Sequence, residues 1–300
     1  MDNNKTLYNE IVDINYIGKQ INPIDMNSLL KKASKEKIPS NDTKVLVIGI
    51  DYQNDFISGS LSVKDANKDL ERFTKFIYNN MSKISEIDVS IDTHIPQQIF
   101  HPLWWIDGEG NNPKPFTIIK LEDLDSGKWR GLDHLKSRDY VENLEKTGKK
   151  VLCIWPYHCL QGTWGAALEN QFSNMLYFFN VAKKSFGQRL VKGLDPYSEM
   201  FGIIKPEYDT KNYINTDFLN KLKGFDKIII GGEAKSHCVL ESVRQILEHY
   251  EKRSDITSRI YILEDCMSSI DGFESETENI FNEFKSKYKI KIEKSDLIKL

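Results

Sequence analysis

The chain is poor in the residues that mark several large protein classes. Its 300 residues hold four cysteines, Cys153, Cys159, Cys238 and Cys266, with no C-x-x-C spacing. They are too sparse for a disulfide scaffold, so each is weighed alone as core filler or nucleophile. No apolar run approaches the roughly 20 residues that cross a bilayer, and the N-terminal stretch lacks the apolar core of a secretory signal. A soluble, cytoplasmic protein is the expectation. Neither sign of charge is in excess: 41 Lys and Arg stand against 44 Asp and Glu, for a net charge of -3. That leaves no basic field for nucleic acid and no acidic tail. No G-x-G-x-x-G follows the first apolar run, where Asp51-Tyr52-Gln53-Asn54-Asp55 stands instead, which removes the mark of a dinucleotide-binding oxidoreductase. The expected partner is a small molecule, with no nucleic acid and no membrane, and copies of the chain are expected to associate.

What is present is an alternation of strands and helices. Residues 1–43 are polar, with a helix expected over Met26 to Ser34, and read as an arm packed on the domain formed by residues 44–300. Val45 to Ile50 is a continuous apolar run, as in a strand covered on both faces. Ile87 to Ile91, Val151 to Ile154, Lys227 to Ile230 and Arg259 to Leu263 look similar. Helix-like stretches lie between them at Asp69 to Met81, Tyr140 to Lys146, Phe218 to Leu222 and Val239 to Tyr250. This order predicts an α/β fold, a three-layer α/β/α sandwich with a mainly parallel sheet. Ligands in such sheets sit beyond the carboxyl ends of the strands, where the unusual residues of this chain fall. The stretch 102–148, with Trp104, Trp105 and Trp129, is too long for a connection and reads as a folded insertion or lid.

Four segments offer chemistry. Ile228 to Val239 runs as a strand through Gly231 and Gly232 into a helix, with Cys238 at its first turn. The N–H groups at a helix start favour thiolate over thiol and can later hold an oxyanion; a buried filler is the alternative. Asp51 follows the first strand and is either a general base or a turn residue. In Asp92-Thr93-His94 the alternation of a strand puts Asp92 and His94 on one side, a pair suited to Zn²⁺, Fe²⁺ or Mn²⁺. The third ligand would be His158, in Trp155-Pro156-Tyr157-His158-Cys159-Leu160-Gln161-Gly162-Thr163, or His101, in Phe100-His101-Pro102. His134, His237 and His249 read as surface or capping residues. Lys192 ends a short apolar stretch before Gly193, which turns its ammonium towards the same crevice.

Taken in order, these segments resemble the isochorismatase-like cysteine hydrolases, and among them the nicotinamidases, over roughly Val45 to Met267. The resemblance implies Cys238 as nucleophile, Asp51 as base and Lys192 as third member of the triad. It also implies a divalent metal (Zn, Fe or Mn) on Asp92, His94 and His158, a cis peptide between Glu233 and Ala234, and an oxyanion hole from the N–H groups of Ala234 and Cys238. Phe56, Trp155 and His101 would then line a substrate site. Typical nicotinamidases carry Trp between the Asp and His ligands, where this chain has Thr93. The implied function is release of ammonia from a small amide, nicotinamide to nicotinate first of all, through a thioester. The alternatives are carbamoyl or ureido hydrolysis by the same thiol, and a metal- or ligand-binding protein without catalysis.

Overall fold

The protein is described by a computed structural model covering residues 2–39, 42–147 and 150–300; positions 1, 40 and 41 of the expected arm and 148 of the expected insertion lie outside the described residues. Six strands form one parallel sheet: β1 (Val45–Ile50), β2 (Glu86–Asp92), β3 (Arg189–Lys192), β4 (Lys227–Gly232), β5 (Ile260–Leu263) and β6 (Lys291–Glu293), in the order β6-β5-β4-β1-β2-β3. The chain starts in the middle of the sheet, builds outward to β3, returns to the other side of β1 with β4, and builds outward again. The reversal leaves a crevice between β1 and β4 beyond their carboxyl ends, the usual ligand position in open parallel sheets. Register brings Ile50 opposite Gly232 and Asp92 opposite Lys192, so the residues that end these strands emerge side by side.

Both faces of the sheet are covered, which is why every residue of β1 is apolar or glycine and buried. Val45, Val47, Val89 and Ile229 face the layer made by α1 (Asp2–Ile11), α2 (Met26–Ala33), α3 (Ala66–Asn79) and, counting past one insertion helix, α5 (Asn170–Lys183). Leu46, Ile48, Ile228 and Ile230 face α6 (Thr216–Leu222), α7 (Leu240–His249) and α8 (Glu274–Tyr288). The skipped α4 (His134–Thr147) packs with Trp104, Trp105, Ile119 and Leu152 in a separate apolar cluster. The three-layer architecture is therefore as anticipated. No helix among the described residues is long and apolar enough to cross a membrane.

One sequence expectation is corrected, and three elements were not anticipated. The run Val151 to Ile154 is not a strand of the main sheet. Its Leu152–Cys153 pair with Ile118–Ile119 in a two-stranded antiparallel ladder, because these apolar groups face the core of the 102–147 region. The edge strands β3 and β6 carry no apolar run, since an edge strand need not be buried on both sides: Arg189 and Val191 are exposed, as is Lys291. α5 was unmarked because it lies between the sheet and the N-terminal arm. It buries Gln171 and Asn174 along with its phenylalanines, and so has no clean apolar stripe. Those amides fasten the arm: Asp13 N–H donates to Gln171 Oε1 at 2.8 Å, and Asn22 Nδ2 to Asn174 Oδ1 at 2.9 Å. Glu169 caps α5 through the N–H groups of Gln171 and Phe172 and also accepts from Gly18 N–H, while burial raises its carboxyl to about 7.

Candidate active site

Asp51 is the first residue after β1 and takes a left-handed backbone, φ 47°, a conformation that Asp tolerates better than most residues. Its turn sends the carboxylate over the end of the sheet. There Ser90, on the neighbouring β2, donates from Oγ to Asp51 Oδ1 at 2.5 Å, and Asp51 N–H donates to Ser90 Oγ at 2.9 Å. Asp92 ends β2 and is fastened by Gln53, which accepts from Asp92 N–H through Oε1 and donates from Nε2 to Asp92 O, both at 2.7 Å. Lys192 ends β3. Its ammonium reaches Asp51 Oδ2 and Asp92 Oδ1, each at 2.9 Å, donates to Met200 O at 3.2 Å, and lies 3.7 Å from Cys238 Sγ. Lys192 is 3% exposed, so its charge is matched by these carboxylates and hardly by water.

Cys238 arrives from β4. The glycine pair lets the strand cross β1 closely, since a Cβ on Gly232 would lie 2.3 Å from Ile50 O. The Glu233–Ala234 peptide is cis. A π-helical turn, Lys235–Val239, then leads into α7 with Cys238 on it. Nothing among the described residues accepts from the Ala234 N–H. Burial pushes Cys238 well above the usual thiol range; the Lys192 ammonium opposes this, and the charges of Asp51 and Asp92 add to it. Burial likewise raises Asp51, against the pull of Lys192. A carboxylate raised by burial beside a thiol is an arrangement suited to general-base removal of the thiol proton.

Asp92 also faces two imidazoles, His94 Nε2 at 2.8 Å and His158 Nε2 at 3.6 Å from Oδ2. His94 Nδ1 sits 3.1 Å from Gly193 O and His158 Nδ1 2.8 Å from Pro156 O. A backbone carbonyl only accepts, so each Nδ1 carries the proton and each Nε2 turns its lone pair to the same point. Three donor atoms from Asp92, His94 and His158 lie within 4.8 Å of one another, all on buried residues. Converging lone pairs beside a carboxylate fit a divalent cation, and outer carbonyls that fix the tautomer are the usual support of such a site. Gly193 is required here: a Cβ would meet Asp92 Oδ1 and His94 Cε1 at 2.7 Å. His158 is delivered by the Trp155–Gln161 segment, which docks on the end of β2 through His94 N–H to Cys159 O and Gln161 N–H to His94 O.

Phe56 and Trp155 line the cavity in front of Cys238, with Leu61 and Phe201. His101 does not. Its ring packs 5.8 Å from His94 and 6.1 Å from His158, fully buried, with Nδ1 on Ile95 O, and burial lowers it to about 3. Its expected contact with substrate is thus corrected to a packing position against His94 and His158. His237, read from sequence as a surface or capping residue, instead forms a cavity wall against Trp155 and Phe201. Ser90 and Gln53 were also unmarked. Ser90 carried a signal, because strand alternation puts it on the side of Asp88 and Asp92. Gln53 carried none, since it belongs to an irregular segment whose facing is set by tertiary contacts.

Among solved structures this fold recurs in nicotinamidases. A nicotinamidase pyrazinamidase of Acinetobacter baumanii superposes with a TM-score of 0.58 over 86% of this chain and 99% of its own, at 18% identity. The yeast nicotinamidase Pnc1p gives 0.58 over 83% and 99%, at 19% identity. PnC1 of L. infantum, in complex with nicotinate, gives 0.52 over 87% and 97%, at 17% identity. At such identities the likeness is one of fold. No protein-family model matches the chain, and no curated protein matches it by sequence.

Proposed function

We propose that the protein is a cysteine-dependent amidohydrolase that releases ammonia from a carboxamide, with nicotinamide as its reference substrate. One observation carries the reading. Lys192 Nζ stands 2.9 Å from Asp51 and 3.7 Å from Cys238 Sγ in a buried crevice at the strand ends, beside the Asp92, His94 and His158 donors. A chain that needed only core filler would not bury two carboxylates and an ammonium around a thiol, because each ion costs several kcal/mol to dehydrate (~ scale).

The reaction follows from these positions. Asp51 takes the Cys238 proton as the sulfur attacks the carbonyl carbon, and the oxyanion is held by the N–H groups of Ala234 and Cys238. One such donor is worth about 10²–10³ in rate. The tetrahedral species breaks its C–N bond, Asp51 returns the proton to nitrogen, and ammonia leaves a thioester on Cys238. Water then adds to the thioester carbon, giving its proton to Asp51, and the C–S bond breaks to release the acid and restore the thiol. Lys192 keeps the negative charge that develops on sulfur and carboxylate tolerable. A divalent ion (Zn, Fe or Mn) held by Asp92, His94 and His158 would supply a Lewis acid for a lone pair of the substrate, such as a ring nitrogen. Phe56 and Trp155 supply the apolar walls.

Ammonia release by the metal-loaded enzyme from nicotinamide, other carboxamides and a ureido compound tests the reading. Turnover of carboxamides that disappears in Cys238→Ala supports it. Release from the ureido compound alone overturns the substrate class, and turnover that survives Cys238→Ala overturns the mechanism.

A further inference from the structure

The cavity in front of Cys238 is small, about 30 Å³. Beside it opens a groove of about 1100 Å³, above the roughly 300–1,000 Å³ common for small-molecule sites. Cavity and groove share one wall, made of Leu61, Trp155, Phe201, His237 and Ile270. The rings of this wall touch edge-on, Trp155 to His237 with centroids 5.3 Å apart and Trp155 to Phe201 at 6.2 Å. A molecule that presents its reacting carbonyl to Cys238 has the Asp92, His94 and His158 donors on one side and those rings on another, and the groove is the space beyond the rings.

The groove surface is apolar where it is free. Phe116 (57% exposed), Ile118 (39%), Val151 (48%) and Phe273 (41%) all line it. Large aliphatic and aromatic groups exposed together mark a binding surface more than scattered ones do. Its inner cations are already committed: Lys150 lies 2.7 Å from Glu207 and 3.0 Å from Glu241, and Arg244 lies 3.3 Å from Glu241. The charges left, Lys64, Glu145, Asp271 and Glu276, are of both signs and solvent-exposed. Such a groove offers an anion or a cation little, and an alkyl or aryl group much. Phe116, Ile118 and Val151 belong to the region between β2 and α5, whose length the fold does not require.

We infer that this groove is a substrate subsite, and that the preferred substrate is a carboxamide carrying an extended apolar group, which lies over the Trp155–Phe201–His237 wall and along Ile118 and Phe273. This rests on the amidohydrolase reading and goes beyond it, since a pyridine-sized amide fills none of the groove.

The test is kcat/KM for ammonia release by the metal-loaded enzyme from nicotinamide and from straight-chain primary amides, acetamide to octanamide. It is paired with calorimetric binding of octanamide to Cys238→Ala, and both measurements are repeated in the Ile118→Asp and Phe273→Asp backgrounds. Each methylene that reaches the groove should raise kcat/KM by about fourfold, and each Asp variant should flatten that rise and weaken octanamide binding. N-Octylacetamide, whose hydrolysis would release octylamine in place of ammonia and is followed by that amine, carries the apolar group on the other side; its turnover above that of octanamide overturns an acyl-side subsite. Equal turnover of short and long amides, unchanged by the Asp variants, overturns the subsite and leaves the reaction standing. Binding of octanamide that the Asp variants weaken, with no amide hydrolysed, overturns the reaction and leaves the subsite. Neither turnover nor binding overturns both.

Discussion

Replacing Lys192 with methionine keeps the aliphatic stem and removes the one ammonium between two buried carboxylates. Each of its ion pairs spans 2.9 Å, an attraction of roughly 6 kcal/mol at an effective dielectric of about 20, much of it offset by the cost of dehydrating the ions. Removing one partner of a buried pair costs about 3–5 kcal/mol, because the other stays charged and unmatched. Denaturant unfolding at pH 7 should show a loss of that size. At roughly 2 °C per kcal/mol for a chain this long, Tm should fall by about 6–10 °C. The loss should depend on pH in a fixed direction. Burial already raises Asp51 and Lys192 opposes it, so without the ammonium the folded-state pKa rises further above its unfolded value. Between those two values the folded protein binds a proton that the unfolded chain does not, and stability grows as pH falls. The deficit of the variant should therefore narrow as pH falls through the folded pKa of Asp51. Lys192→Met/Asp51→Asn, which removes one of the two stranded charges, should lose less than the sum of the single variants by about 0.5–3 kcal/mol. Strictly additive losses and a deficit flat with pH would refute the buried-pair reasoning.

Other consequences concern single contacts. Cys238→Ala should end ammonia release while metal content, measured by elemental analysis, stays unchanged; activity above a small residue contradicts the nucleophile assignment. Ser90→Ala removes a hydrogen bond that lowers the pKa of Asp51. The acid limb of the kcat/KM profile should then move to higher pH, with a stability loss of about 1.5–3 kcal/mol; an unmoved limb counts against Asp51 as base. Gly193→Ala places a methyl against Asp92 and His94, at a residue with φ +81°. Chelator competition should show metal affinity lowered by about 10–100-fold, and unchanged affinity contradicts the assigned donors.

How much of this was legible in the sequence follows physical lines. Central strands were readable because burial on both faces forces an apolar run, as in Val45 to Ile50. The edges were not, because Arg189 to Lys192 and Lys291 to Glu293 answer to solvent on one side. The same rule misassigned Val151 to Ile154, an apolar run whose partners lie in a different cluster. Residues at the ends of central strands, Asp51, Asp92 and His94, stood out because polar chemistry directly after an apolar strand is unusual; Lys192, on an edge strand, stood out only by the Leu190-Val191 pair before it and by the family resemblance. Side chains that support the site from irregular segments left no such trace. His237 read as a surface or capping residue until the π-helical turn placed it in the wall. The helix start at Cys238 was visible in sequence, whereas the two carboxylates whose charges oppose ionisation of its thiol, far away in the chain, were not.

Intact-protein mass spectrometry of the metal-loaded enzyme, acid-quenched during turnover of a carboxamide, addresses the proposed chemistry most directly. The protein should gain the mass of the acyl group, mapped by peptide digestion to Cys238 and missing from Cys238→Ala. Rapid product formation with no acylated protein at any quench time, or an adduct on another residue, would contradict it.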